Sequence, residues 1–367
     1  QVNYTFMGLW TDFNHDLWPD LFILNDRYDA PNYMFMNLGN GTFADVTDIM
    51  QLDDFIFSMS ATGDDHDNDG DMDYYITNGT AGNVLRQNQG GVYEDVATEV
   101  GALVQQFCWS AQWTDFDNDG WQDIHICSSP HINYPGINKL LKNVGGDYTD
   151  ISIEAGIQSD VGWSRGSAIG DFNRDGFPDL VVSKSAPDIS TYWVTESNSN
   201  QWFTIDLEGT ESNVEGIGAW VSVFAGSDRY TRYTTCGEGY LGQNSFRFHV
   251  GIGTHEVADS IVVEWPSGIV DRWYRIPAKQ HLNLVEGESR EARIEAPIGT
   301  AMCVGDSILL EVVDWQHVTW SNRANSAIIT IDEPVSTYAI VTDNWGNQFL
   351  TDTAVTQWYL TQYEVSI

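Results

Sequence analysis

The sequence predicts an all-β protein: a β-propeller of four-stranded blades followed by a β-sandwich. Three observations predict it. An aspartate-rich phrase of nine residues recurs four times, each copy between short apolar runs. A second phrase, rich in glycine and closed by an aromatic residue, follows three of the four copies. Helical periodicity is nearly absent, and regular strand-and-turn repeats at this spacing are the pattern of blades. At 367 residues the chain is too long for one small core and suits two or three domains.

The first phrase reads Asp12-Phe-Asn-His-Asp-Leu-Trp-Pro-Asp20, Asp65-His-Asp-Asn-Asp-Gly-Asp-Met-Asp73, Asp115-Phe-Asp-Asn-Asp-Gly-Trp-Gln-Asp123 and Asp171-Phe-Asn-Arg-Asp-Gly-Phe-Pro-Asp179, with starts 53, 50 and 56 residues apart. The runs Leu21–Leu24, Tyr74–Ile76, Ile124–Cys127 and Leu180–Val182 follow them as strands. The second phrase begins at Asn37, Asn88 and Asn143 and reads strand, glycine turn, aromatic, strand. Each unit of roughly fifty residues then holds four short strands, the content of one propeller blade.

Positions 1, 3, 5 and 9 of each nonamer are Asp or Asn, and position 6 is Gly in three of the four. Oxygen ligands at alternate positions of a curled loop, closed by a further carboxylate, make a cage for a hard cation, calcium above all. Without a cation the crowded carboxylates repel one another. The closing Asp comes too early for an EF-hand, which needs Glu at position 12 between helices. The side-chain ligand sets are Asp12, Asn14, Asp16 and Asp20; Asp65, Asp67, Asp69 and Asp73; Asp115, Asp117, Asp119 and Asp123; and Asp171, Asn173, Asp175 and Asp179. Trp18, Asp71, Trp121 and Phe177, at position 7, are the expected backbone-carbonyl ligands, for up to four Ca2+ ions. The bland alternative is four Asx-rich surface turns, which a fourfold repeat in one register argues against. The first loop is the weakest, because Leu17 replaces Gly and Asn14 lowers the charge.

Composition limits the functions. The net charge of −37 excludes a general nucleic-acid binder and disfavours anionic membranes. Disorder is excluded too, because 42% hydrophobic and 13% aromatic residues provide a core to bury. No run of eighteen apolar residues spans a bilayer. The chain opens at Gln1 and reads as a mature, processed product, and the acidic loops suit a calcium-rich extracellular setting.

With their flanking strands the nonamers resemble the FG-GAP/VCBS calcium repeats of integrin alpha chains and bacterial surface proteins. Residues 200–287 resemble the UnbV/ASPIC module of the cartilage acidic protein family, through Asn200-Gln-Trp-Phe-Thr-Ile-Asp-Leu, Asn213-Val-Glu-Gly-Ile-Gly-Ala-Trp-Val-Ser-Val, Gly237-Glu-Gly-Tyr-Leu-Gly-Gln-Asn-Ser, Phe248-His-Val-Gly-Ile-Gly and Val263-Glu-Trp-Pro-Ser-Gly268. The resemblance implies an extracellular, calcium-stabilised propeller used for adhesion or scaffolding, with no catalytic residues. It divides the chain into blades over 1–199, a module over 200–287 that completes the propeller, and a last part over 298–367 beyond the linker Gly287–Pro297. In that last part Cys303-Val-Gly-Asp-Ser-Ile-Leu-Leu-Glu-Val, Val318-Thr-Trp-Ser-Asn and Ser336–Gly346 alternate like sandwich strands and resemble small immunoglobulin-like modules of secreted bacterial proteins. There a second Cys often follows the late Gly; here Asn347 stands in its place.

Other chemistry finds little support. No HExxH or GxSxG motif occurs, the Gly-rich stretches at Gly216 and Gly251 lack a following helix, and His249 reads as structural. Cys108 and Cys127 flank the third loop and are expected either as a disulfide or as two buried thiols. Asn3, Asn40 and Asn78 begin N-glycosylation sequons, and Asp259-Ser-Ile, Asp306-Ser-Ile and Asp352-Thr-Ala resemble bacterial O-glycosylation sites. The expected function is a non-enzymatic extracellular calcium-binding adhesion or structural subunit. It would self-associate or bind other surface proteins, and a start in mid-blade with a strand-rich end at Thr353–Ile367 suggests head-to-tail filaments. The alternative is calcium-dependent carbohydrate binding through exposed aromatics, or less favourably a polysaccharide lyase.

Overall fold

Strands β1 (Thr5–Thr11), β2 (Asp20–Asn25), β3 (Tyr33–Asn37) and β4 (Phe43–Asp45) form one antiparallel sheet in chain order, because each nonamer and each glycine turn reverses the chain onto its neighbour. The structure, a computed structural model, describes residues 4–358. After the short helix α1 (Thr47–Met50), the pattern repeats in β5 (Ala61–Asp64), β6 (Asp73–Ile76), β7 (Val84–Asn88) and β8 (Tyr93–Asp95). It repeats again in β9 (Phe107–Thr114), β10 (Asp123–Ser129), β11 (Lys139–Val144) and β12 (Asp147–Asp150). The fourth copy, β13 (Ser164–Gly170), β14 (Asp179–Lys184) and β15 (Thr191–Trp193), stops at three strands, as the missing second phrase requires. The first sheet, like the second and third, has all four strands.

Apolar cores lie between successive sheets rather than within one. Phe22, Leu24 and Met34 meet Tyr74, Ile76 and Tyr93. Tyr75 and Leu85 meet Trp113, Ile124 and Tyr148. Cys127 and Leu140 meet Ile169 and Leu180. Burying each such large side chain contributes about 1.5–3 kcal/mol, so much of the aromatic content is spent between sheets. The first strands β1, β5, β9 and β13 lie side by side in that order.

The module forms two sheets of its own, and among the described residues none of its strands pairs with a strand of the first four sheets. The strands β16 (Trp202–Glu208), β19 (Phe248–Gly251) and β22 (Gln280–Val285) make one sheet, with β16 and β22 parallel. The other contains β17 (Trp220–Ala225), β18 (Asp228–Tyr233), β20 (Val257–Glu264) and β21 (Val270–Pro277). Between β18 and β19 the segment 234–247 touches the first strand of all four sheets. Tyr240 stacks on Phe6 with centroids 6.0 Å apart and donates its N–H to Ser110 Oγ at 3.2 Å. Thr62 Oγ1 donates to Glu238 Oε1 at 3.0 Å, and Ile169 N–H donates to Asn244 Oδ1 at 3.0 Å.

The last part begins earlier than the sequence suggested. Within the expected linker, β23 (Ile294–Glu295) joins β25 (Ile308–Val312) and β27 (Ile328–Ile331) in one sheet. A second sheet holds β26 (His317–Trp320), β29 (Ala339–Thr342) and β30 (Gln348–Leu350). Two short pairs join β24 (Ala301–Met302) to β32 (Gln357–Trp358) and β28 (Ser336–Thr337) to β31 (Ala354–Val355). This part shares one apolar core with the module. Asn347 ties the two: its Oδ1 accepts the Asn283 N–H at 2.9 Å and its Nδ2 donates to the Asn283 carbonyl at 2.7 Å. As far as residue 358 the end of the chain pairs within its own molecule, β31 with β28 and β32 with β24. The remainder of Thr353–Ile367, and Asn3 of the first sequon, lie outside the described residues.

All four cysteines are free. A bulge in the β9–β10 pairing sets Cys108 opposite Ser128 and Cys127 opposite Ser110. The two thiols consequently enter different cores, and the expected alternative of two buried thiols is the one observed. Asn78 is also unfit as a glycosylation acceptor, being buried and bonded to the backbone of Phe57, Gly79 and Gly82. Asn40 is exposed.

Candidate metal centre

Each nonamer links the first two strands of its sheet, and the four loops repeat one hydrogen-bond plan. The position-1 carboxylate lies at the base and accepts N–H groups from positions 5 and 6. Asp12 accepts from Asp16 and Leu17, Asp65 from Asp69 and Gly70, Asp115 from Asp119 and Gly120, and Asp171 from Asp175 and Gly176, at 2.7–3.1 Å. Position 5 accepts the N–H of position 7: Asp16 from Trp18, Asp69 from Asp71, Asp119 from Trp121 and Asp175 from Phe177. Position 9 is buried in every loop and accepts a backbone N–H from the third strand in the first three sheets, Asp20 from Asn37, Asp73 from Asn88 and Asp123 from Asn143, while Asp179 accepts from Thr195, just past β15. The two repeated phrases are thus bonded to each other, Asn to closing Asp, in the three sheets that contain both.

Position 6 has the left-handed backbone the sequence suggested, with φ of 98°, 96° and 87° at Gly70, Gly120 and Gly176. Leu17 adopts it as well, at 67°. Position 4 is left-handed too, at His15, Asn68, Asn118 and Arg174, which the sequence reading missed. The Asn-Asp-Gly step in loops two and three was the available signal. There the position-4 amide reaches the next loop: Asn68 Nδ2 donates to the Gly120 carbonyl at 3.2 Å, and Asn118 Nδ2 to the Gly176 carbonyl at 3.0 Å.

The carboxylates are crowded in the way a cation site requires. Oxygens of Asp65, Asp67 and Asp69 lie within 4.8 Å of one another, as do those of Asp115, Asp117 and Asp123. Burial, with neighbouring carboxylates adding to it, pushes Asp65 and Asp115 up to about 8 and Asp20 and Asp71 up to about 7. Asp73 and Asp123 are raised well above the usual carboxylate range for the same reason. The loops recruit positive or donor groups to offset this: Lys142 pairs with Asp117 and Asp119, Gln87 Nε2 donates to Asp67, and Asn14 and Asn173 donate to Asp16 and Asp175. The donor set is all oxygen and strongly anionic, and it fits a hard divalent cation. In loops one and four, where Asn replaces Asp at position 3, the fit is weaker in charge.

The module lies against these loops, which the sequence did not reveal. Trp220 Nε1 donates to Asp12 Oδ2 at 3.0 Å, and its ring stands 3.9 Å from that of His15. Arg229 packs on Gly70, Tyr230 on Gly120 and Trp202 on Gly176, each so closely that a Cβ at the glycine would overlap it. Gly251 abuts Asp115 and Asn118, and the Gly253 N–H donates to the Asn118 carbonyl at 3.0 Å. Loops one and two are therefore contacted by the module sheet of β17 and β18, loop four by that of β16 and β19, and loop three by both.

Comparisons with known proteins match the repeats and the module as two separate regions. The model for FG-GAP-like repeats matches residues 12–76, 65–126 and 115–182, and that for ASPIC and UnbV matches 209–291. Cartilage acidic protein 1 of Xenopus tropicalis is 28% identical over 261 residues, which is 67% of this chain and 39% of that protein. The protein of the same name from Mus musculus is also 28% identical, over 67% of this chain and 40% of its own length. The chain thus spans well under half of the curated relatives it matches. A solved fungal alcohol oxidase of the AA5 family aligns over 97% of this chain and 98% of its own at 9% identity, with a TM-score of 0.28. No helix among the described residues is long and apolar enough to cross a membrane.

Proposed function

For a chain that carries FG-GAP-like repeats and an ASPIC and UnbV domain, and is homologous to cartilage acidic protein 1, we propose a non-enzymatic extracellular role as a calcium-stabilised adhesion or structural module. In this reading the four sheets over 1–199 are propeller blades, the segment 234–247 occupies their axis, and the last part is an immunoglobulin-like sandwich. Calcium would be held by the side chains at positions 1, 3, 5 and 9 of each loop and by the carbonyls of Trp18, Asp71, Trp121 and Phe177. Its chemistry is neutralisation: it replaces the repulsion of the crowded carboxylates with attraction and fixes the loops. The observation that carries the reading is the common hydrogen-bond plan of the four acidic loops beneath one module. Surface partners, or other copies of this chain, would then meet a rigid surface. Calorimetric titration of decalcified protein tests it. Saturable calcium binding with a rise in melting temperature supports it; no binding at millimolar calcium overturns it. Light scattering in calcium then decides self-assembly: a mass well above 41.1 kDa supports it, and a monomer removes it.

A second reading, carbohydrate binding, is favoured by an aromatic group at the opposite ends of the first strands. The Arg165 guanidinium lies 4.1 Å over the ring of Trp109 and 5.5 Å over Trp163, and Trp109 contacts Tyr240 at 5.0 Å. Sugars stack on faces of this kind. A glycan array probed with wild type and Trp163→Ala tests it: binding that the substitution abolishes supports it, and no bound glycan removes it.

A further inference from the structure

The second loop departs from the others at its second position. Phe13, Phe116 and Phe172 stand there in loops one, three and four; the second loop has His66. An aromatic hydrocarbon at this place packs at no polar cost, whereas an imidazole brings two ring nitrogens that require partners. His66 is only 1% exposed, and neither Nδ1 nor Nε2 has a hydrogen-bond partner among the described residues. Its ring stands 6.2 Å from that of Tyr148, which offers it packing alone. One ring nitrogen of His66 and carboxylate oxygens of Asp67 and Asp73 lie within 4.8 Å of one another. The Asp73 oxygens accept the N–H groups of His66 and Asn88 at 3.0 and 2.8 Å, which leaves each a further lone pair.

We propose that His66, Asp67 and Asp73 form a second cation site at the base of loop two, taking a borderline divalent metal of the zinc class through one imidazole nitrogen and two carboxylate oxygens. Nitrogen in the donor set is what separates it from the all-oxygen group Asp65, Asp67 and Asp69 on the same loop. Calcium and magnesium select oxygen, while imidazole suits zinc and its neighbours. Asp67 belongs to both groups, and Asp73 is also the closing ligand of the proposed calcium set, so these two carboxylates would bridge the two ions. A metal at this site satisfies a ring nitrogen that is otherwise buried without a partner, and it draws the base of the loop together from three residues.

The test uses the whole chain in millimolar calcium, with Zn2+ as the calorimetric probe and Mn2+ as the spectroscopic one. His66→Phe installs the residue the other three loops already carry, so the fold has a precedent for it. Wild type is expected to bind one Zn2+ that His66→Phe binds at least about 10-fold more weakly. Bound Mn2+ is expected to show nitrogen-14 coupling by electron spin-echo envelope modulation in wild type and to lose it in the variant. Superimposable Zn2+ isotherms, or wild-type Mn2+ without nitrogen coupling, overturn the proposal whatever the variant does. Calcium binding without zinc binding overturns this site and leaves the proposed function standing; binding of neither ion removes both.

Discussion

Cys108 and Cys127 are separated by a single strand pairing, yet they do not meet. The bulge shifts register by one residue, and a one-residue shift reverses the face on which a strand side chain emerges. Burial pushes the Cys108 thiol up to about 11 and the Cys127 thiol up to about 12, so neither supplies the thiolate that reacts. Cys236 is half-buried and Cys303 exposed. Titration with a thiol reagent, without reductant, should therefore find two reactive thiols in the native protein and four after denaturation. Finding only two after denaturation would show a disulfide and refute the register. The loops were more legible in the sequence than the cysteines. Gly at position 6 carries its own conformational signature, and the observed φ values match it. The same conformation at Leu17 could not be read, because Leu is a poor resident of that region and the surrounding hydrogen bonds to Asp12 impose it.

At the scale of the element, the strand–loop–strand units were legible because the repeat is written twice, once in aspartates and once in the glycine-turn phrase. What joins the two phrases was not: the bond from Asn88 to Asp73 crosses fifteen residues, and pattern alone does not show which acceptor an N–H finds. Placement of the module was hidden for the same reason. Gly251 lies within β19, and loop three presses on the place where a side chain would be. A Cβ there would overlap Asp115 Oδ2 and the Cα of Asn118. Gly251→Ala is accordingly expected to lower stability by about 1–3 kcal/mol, the usual cost of overpacking a closed contact. Proteolysis between β15 and β16 should quicken as the module lifts from the loops. Urea unfolding and a timed digest check both, and a substitution without effect would mean that the module does not bear on loop three.

For the whole molecule, the number and order of the sheets followed from the repeat, whereas the sharing of one core by the module and the last part did not. Asn347 shows why: it occupies the place of an expected cysteine, and its bonds to Asn283 make a junction between units that no local pattern announces. The acidity, by contrast, has a global consequence that can be argued from the loops. Burial raises Asp20 and Asp71 to about 7 and Asp65 and Asp115 to about 8, and it raises Glu238, in the segment 234–247, to about 7. A carboxyl group whose pKa is higher folded than unfolded binds more protons in the folded state. Stability then falls as pH rises from the unfolded value near 4 through the folded values near 7 and 8. Decalcified protein should melt several degrees lower at pH 8 than at pH 5. On the proposed function millimolar calcium would supply at pH 8 the positive charge that protons supply at pH 5, so it should raise the melting temperature far more at pH 8 and release protons on binding at pH 6. Calorimetry in two buffers of different ionisation enthalpy counts those protons. A melting temperature of the decalcified protein that climbs from pH 5 to pH 8 would mean the loop carboxylates are already neutralised by the chain itself, with Lys142 and the loop amides sufficient in place of an ion.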